Sequence, residues 1–184
     1  EVKIVLLGAG ASNTTIARLC ITAGADPAKM ILVDSRGGLH AGRDDLRDNK
    51  PFYRKWELCE ITNPDKIEDF DTAIQDADVL IALSKPGPNT INPSQIRKMA
   101  DKAIVFVCAN PVPEIYPYAA KEAGAFIVAT GRGDFPNQIN NSLCFPGLLR
   151  GALMVRAKKI TDAMAITAAK ALAEFSKNKG INPE

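Results

Sequence analysis

Long hydrophobic runs, blocks of like charge and paired cysteines are all missing from this sequence, and each absence removes a class of answer. No apolar stretch approaches the roughly 20 residues that span a bilayer, and no charged-then-apolar leader precedes a cleavage site. The expectation is a soluble, cytoplasmic protein with no membrane partner. Lysine and arginine number 23 against 21 acidic residues, a net charge of +2, and no basic stripe forms, so nucleic acid is set aside as a partner. Cys20, Cys59, Cys108 and Cys144 stand far apart, without the spacing of a metal site or a disulfide framework. Two of them lie inside apolar runs, and all four read as reduced thiols of a cytosolic protein. Aromatic residues make up only 6%, yet 46% of the 184 residues are hydrophobic. That is enough for one ordinary domain with a real core, and too little for two large ones. The chain opens on Glu1, almost inside its first apolar run, which predicts a piece of something longer.

What is present is a regular alternation. Apolar runs of strand length recur at residues 2–7, 30–33, 78–83, 103–108 and 126–130, mostly separated by helical patterns or polar connections. Such alternation predicts right-handed βαβ crossovers and an α/β fold: a doubly wound, Rossmann-like parallel sheet with helices on both faces. Helices are expected over residues 11–23, 65–77, 93–100, 114–123, 140–156 and 161–177. Thr161 would cap the last of these, with Asp162 and Lys177 at the ends where the helix dipole favours them. The connection 35–63 is the least patterned, and either a helix near residues 52–59 or mostly loop fits it. His40, the only histidine, falls in this polar connection and reads as solvated.

The stretch Gly8, Ala9, Gly10, Ala11, Ser12 and Asn13 stands between the first strand and the first helix. A Gly-x-Gly there lets the backbone turn sharply and approach a pyrophosphate, which then meets the free N–H groups of the helix start. Gly8 and Gly10 suit those two roles, although a plain turn is the alternative. Asn13 departs from the small third residue of the fingerprint. Three outcomes stay open: the helix stands away from the sheet, the side chain caps the helix, or it meets the ligand. Asp34 ends the second apolar run, twenty-one residues beyond Asn13. A carboxylate there can accept from the adenosine ribose hydroxyls and repel the extra phosphate of NADP, unless it merely caps a turn. Ser35, Arg36 and Arg43 complicate the choice, since an arginine past this strand can instead pair with a 2′-phosphate. NAD is favoured, with NADP the alternative.

Two further connections sit where such a sheet binds ligands. In "ALSKPGPNTI", Ser84, Pro86 and Gly87 would shape one wall, and in "CANPVPEI" Asn110 could hydrogen-bond a carboxamide, hydroxyl or carboxylate. Simple turn chemistry explains each equally well. The segment from 128 to 157 is harder to explain as packing, because Gly131, Arg132, Asp134, Asn137, Gln138, Asn140 and Asn141 crowd between a strand and an apolar helix. Polar groups so placed need partners, which points to a ligand or a domain interface.

Together "VLLGAGASNTTIARL", "VDSRG", "CANPVPEI" and above all "ATGRGDFPNQINNSLCFPG" resemble the dinucleotide-binding domain of bacterial and archaeal malic enzymes, also called malate oxidoreductases. The resemblance implies an oxidoreductase that binds NAD or NADP and converts malate to pyruvate and CO₂. It further implies that Asn110 and Asn140, with Asn141 close behind, touch substrate or the nicotinamide end. The family's catalytic tyrosine and lysine, and its acidic ligands for Mg²⁺ or Mn²⁺, precede the glycine-rich strand, so none is carried over. Tyr53, Tyr116, Tyr118, Lys55, Asp44 and Asp45 match none of those roles. The implied protein is therefore a cofactor domain that binds dinucleotide but is inactive by itself, acting on malate only when joined to a catalytic and metal-binding domain in a homo-oligomeric enzyme. The aromatic-bearing "PFYRKWELCE" is a candidate surface for that domain. A free-standing dinucleotide-binding regulatory module, or another small dehydrogenase of hydroxy or keto acids, remain the other readings.

Overall fold

Leucine and β-branched residues buried on two sides make the strands of one sheet, as the alternation of the sequence requires. The computed structural model describes residues 1–177 and 180. Its strands are β1 (Ile4–Leu7), β2 (Met30–Asp34), β3 (Gly37–Gly38), β4 (Val79–Ala82), β5 (Ile104–Val107) and β6 (Ile127–Thr130), in the order β3-β2-β1-β4-β5-β6. β2, β1, β4, β5 and β6 run parallel. The expected parallel sheet thus gains an antiparallel edge, because a two-residue turn at Ser35 and Arg36 folds β3 back on β2. The strand order reverses between β1 and β4, and the crevice at that switch point is where open α/β sheets take ligands.

Side chains divide by strand parity. Val5, Ile31, Val33, Leu80 and Val105 enter one core with Ile74, Ile96 and Ile115, whereas Leu6, Met30 and Leu32 enter another with Ala17, Leu39, Leu46 and Leu58. A one-residue slip of any strand would exchange these sets, so burial on both faces specifies the register.

The helices are α1 (Ala11–Thr22), α2 (Asp44–Arg47), α3 (Tyr53–Ile61), α4 (Phe70–Ala73), α5 (Pro93–Ile96), α6 (Pro117–Glu122), α7 (Phe145–Met154) and α8 (Asp162–Lys177). α1 and α8 match expectation, and Thr161 Oγ1 accepts the Met164 N–H at 3.3 Å as the cap of α8. Four others are shorter than the pattern predicts. The helix expected over 65–77 survives only as α4, because Lys66 and Asp76 adopt positive φ and Asp69 caps the chain anew through the Thr72 N–H. α5 stops four residues early at Ile96. α6 begins three residues late, since Pro117 holds Tyr116 in extended backbone. The helix expected over 140–156 breaks into a 3-10 turn (Asn141–Leu143) and α7, because Pro146 near the α7 start has no N–H to continue an upstream helix. In the 35–63 connection, α2 and α3 replace the open choice between helix and loop.

His40 is not solvated. It is buried, accepts the Gly42 N–H on Nδ1 at 3.0 Å, and its Nε2 faces Glu68 Oε1 at 2.9 Å. The amphipathic fold of 35–63 draws it inward beside Leu39, a burial that sequence periodicity could not show.

Candidate functional site

β1 ends where Gly8 takes φ +92°, and a Cβ at this position would lie 2.5 Å from the Leu83 carbonyl oxygen of the neighbouring strand end. Only glycine fits there. Its N–H donates to Val33 O at 2.8 Å, tying the turn to β2. Gly10 differs: its φ is −79°, and a Cβ would meet nothing within 4 Å. Gly10 carries no capping side chain, and its carbonyl accepts the Thr14 N–H at 3.1 Å, so the first N–H groups of α1 are left facing outward. Such a helix start attracts an anion.

Beside it lies a cavity of about 1090 Å³. Gly8, Ala9, Gly10, Ala11, Asp34 and Ser84 all line it. The other sequence-predicted residues stand away from its wall: Ser12, Asn13, Pro86, Gly87, Asn110, Asn140 and Asn141 are not on the lining. Asn13 takes none of the three outcomes left open. Fully buried, its Nδ2 donates to Leu7 O at 3.0 Å, Gly8 O at 2.7 Å and Ile81 O at 3.3 Å, so it clamps the ends of β1 and β4 beneath the turn. Its Oδ1 has no partner among the described residues.

At the end of β2, Asp34 is held from several directions. Arg43 donates to both carboxylate oxygens, at 3.2 and 3.3 Å, the Arg36 N–H to Oδ1 at 2.9 Å, and Lys55 of α3 to Oδ2 at 3.3 Å. Burial works against the charge of Asp34, but the hydrogen bonds and charges of these neighbours outweigh it and hold the carboxyl below its ordinary range. The Arg43 guanidinium is only 9% exposed; it also binds Asp45 at 2.7 Å and the Gly38 carbonyl at 3.2 Å. Its fork is consumed inside the protein. Asp45 falls to about 2, chiefly through its hydrogen bond to Arg43.

The cavity continues to a wall of aromatic and basic side chains that sequence reasoning passed over as a docking surface. Phe52, Tyr53, Arg54 and Lys55 line it, with Lys55 Nζ 5.2 Å from the centre of the Phe52 ring. Nothing in the spacing of Lys55 from Asp34 reveals this contact, which α3 makes by folding back over β2.

A second residue passed over is Glu114. It is fully buried, and its carboxylate accepts the Ser84 N–H at 2.8 Å, the Ser84 hydroxyl at 3.3 Å and the Ala109 N–H at 3.1 Å. The one signal in the sequence was an acid inside the proline-rich "CANPVPEI". Burial, with the nearby Glu114 charge, pushes the Cys108 thiol up to about 11. Cys59 rises to about 11 and Cys20 upward too, both mainly by burial, so these three thiols are poor nucleophiles.

Beyond β5 and β6 the two asparagine motifs meet at their bases. The Asn110 Nδ2 would lie 4.0 Å from a Cβ at Gly131, and Arg132 donates to Pro111 O at 2.8 Å. Much of the polar cluster is satisfied internally: Arg132 pairs with Asp134 at 2.5 Å, Gln138 donates to Gly133 O at 2.9 Å, and Asn140 Oδ1 caps the following turn through the Ser142 N–H at 3.0 Å. Asn110, Asn140 and Asn141 are exposed. Among the described residues no group of three His, Cys, Asp or Glu side chains converges as a metal site, and no helix is long and apolar enough to cross a membrane.

The family model described as "Malic enzyme, NAD binding domain" matches residues 1–184. The crystal structure of Entamoeba histolytica malic enzyme superposes with a TM-score of 0.97 at 62% identity, covering 99% of this chain and 37% of that one. Malic enzyme from Pyrococcus horikoshii gives 0.87 at 48% identity, over 95% of this chain and 41% of that one. The NADP-dependent malic enzyme of Halomonas elongata is 41% identical over 176 residues, and the NAD-dependent malic enzyme of Geobacillus stearothermophilus is 41% identical over 183. They share 95% and 99% of this chain, which in turn spans 39% and 36% of their lengths.

Proposed function

The chain belongs to the malic enzyme NAD-binding domain family, and from that premise we propose that it binds the dinucleotide of an enzyme that oxidises and decarboxylates malate to pyruvate. The carrying observation is the uncapped start of α1, open at Gly10, on a cavity that also holds Asp34. A dinucleotide held here would supply the acceptor for the hydride on the carbon bearing the malate hydroxyl. The protein's own groups hold it in place: the α1 N–H groups take the pyrophosphate, Asp34 accepts from the adenosine ribose, and Phe52 and Tyr53 offer apolar rings at the same end. On the family resemblance, the exposed Asn110, Asn140 and Asn141 beyond β5 and β6 are assigned to the substrate side. NAD is the preferred cofactor, because Arg43 is committed to Asp34 and Asp45 and is not free to receive a 2′-phosphate. The free thiols of Cys20, Cys59, Cys108 and Cys144 suit a reducing cytoplasm.

The base, the acid and the divalent metal of the full reaction lie outside this chain. The remainder of a longer enzyme supplies them, and the exposed apolar residues Leu143, Phe145, Leu153 and Met154 support a docking partner for this part of the protein. Assembly of the complete enzyme as a homo-oligomer follows the same reading. Calorimetric titration of the 184-residue chain with NAD and NADP, followed by a malate-oxidation assay with Mn²⁺, tests the proposal. Binding without turnover is expected. Binding of neither dinucleotide would overturn it, and turnover would place the missing catalytic groups within these residues.

A further inference from the structure

Glu114 is the one fully buried carboxylate among the buried polar residues described, and its side chain accepts from N–H and O–H groups rather than from cations. Burying a carboxylate is costly, and three hydrogen bonds are what make it tolerable. Their placement is informative. Ser84 follows the C-terminal end of β4 and Ala109 follows that of β5, so a single side chain pins the two strand ends beside the switch point. Its own carbonyl accepts the Ile91 N–H at 3.0 Å, fixing the rest of the connection after β4.

Ser84 also lines the cavity, across the start of α1 from Asp34. A dinucleotide with its ribose at Asp34 and its pyrophosphate on α1 directs its second nucleoside toward Ser84. A hydroxyl has one hydrogen to donate and two lone pairs to accept with. Here the hydrogen is spent on Glu114, which leaves Ser84 Oγ with only acceptor capacity for a ligand. The nicotinamide carboxamide carries an NH₂ donor of matching polarity.

Resting on the dinucleotide reading above, we propose that Glu114 is a positioning residue for the nicotinamide end: it fixes the ends of β4 and β5 and orients Ser84 Oγ to accept from the carboxamide. Glu114→Gln places an NH₂ group against one of the two backbone N–H donors and spoils the clamp. Ser84→Ala keeps the backbone N–H bond to Glu114 and removes the hydroxyl, both as the acceptor toward the ligand and as the weaker donor to Glu114.

The test is calorimetric titration of the wild-type chain, E114Q and S84A with NAD and with ADP-ribose, which lacks nicotinamide. Both variants are expected to lose about tenfold in affinity for NAD, as when one hydrogen bond to a ligand is lost, while ADP-ribose affinity holds within about twofold. Parallel loss of both ligands, or loss of neither, would overturn the positioning role. If E114Q does not fold, S84A alone decides between these outcomes. Wild-type chain that binds neither ligand would instead overturn the dinucleotide reading itself.

Discussion

Gly8 and Gly10 occupy one turn but do different physical work, and substituting each separates fold from function. A side chain at Gly8 meets the Leu83 carbonyl oxygen at 2.5 Å and must adopt φ +92°. The backbone strain is about 1–2 kcal/mol, and the overlap with a packed strand end adds about 1–3 kcal/mol. A total of about 2–5 kcal/mol corresponds to a fall in Tm of about 4–20 °C for a domain of this size. At Gly10 a Cβ meets nothing within 4 Å, and the backbone is already extended at φ −79°, ψ −174°. Gly10→Val therefore changes stability by only about 0.5 kcal/mol. Its isopropyl group instead occupies open space at the helix start, where the proposed binding mode puts the pyrophosphate. Losing one or two charge-assisted hydrogen bonds there, at about 1.5–3 kcal/mol each, weakens binding by a factor on the order of ten to ten thousand. Thermal melts and calorimetric titration with NAD on Gly8→Ala and Gly10→Val form the assay. A Gly10→Val chain that melts as early as Gly8→Ala, or that binds NAD as well as the wild type, would refute the cradle.

Asp34→Ala should weaken NAD more than NADP, because it removes the ribose acceptor and releases Arg43 and Lys55 toward a 2′-phosphate; equal losses for the two cofactors would remove Asp34 from the ribose role. Acid should unfold the chain through the Arg43 cluster. Asp34 and Asp45 bind protons less readily folded than unfolded, Asp45 falling from 3.8 to about 2. The unfolded chain consequently takes up more protons as pH drops, so stability is present in full above about pH 4 and drains away toward about pH 2. Urea midpoints across that window measure the slope, and Asp45→Asn should make it shallower; an unchanged slope would dissociate Asp45 from acid unfolding.

The legible parts of the molecule were those set by neighbours along the chain. Residues 30–33 and 126–130 read as strands because burial on both faces demands unbroken apolar runs, and α1 follows Gly10 because the turn, the open N–H groups and the helical pattern are all local. Asp34 was visible for the same reason, since one βαβ unit sets its distance from the turn. Helix lengths were overestimated where a single residue decided the matter: Pro117 and Pro146 each reset a helix start that apolar spacing would have placed earlier.

The partners of the site residues were not legible. Lys55 reaches Asp34 from twenty-one residues away, and Glu114 reaches Ser84 from thirty. His40 became buried beside Glu68, and Asn13 turned inward to clamp β1 against β4. A hydrogen bond between distant residues leaves no period in the sequence, and its direction depends on how helices fold back over the sheet. The order of residues therefore determined where the sheet, the turn and the acid would lie. Tertiary packing alone decided which charges are already paired, which buried polar groups bond one another, and which of the two glycines the neighbouring strand end requires.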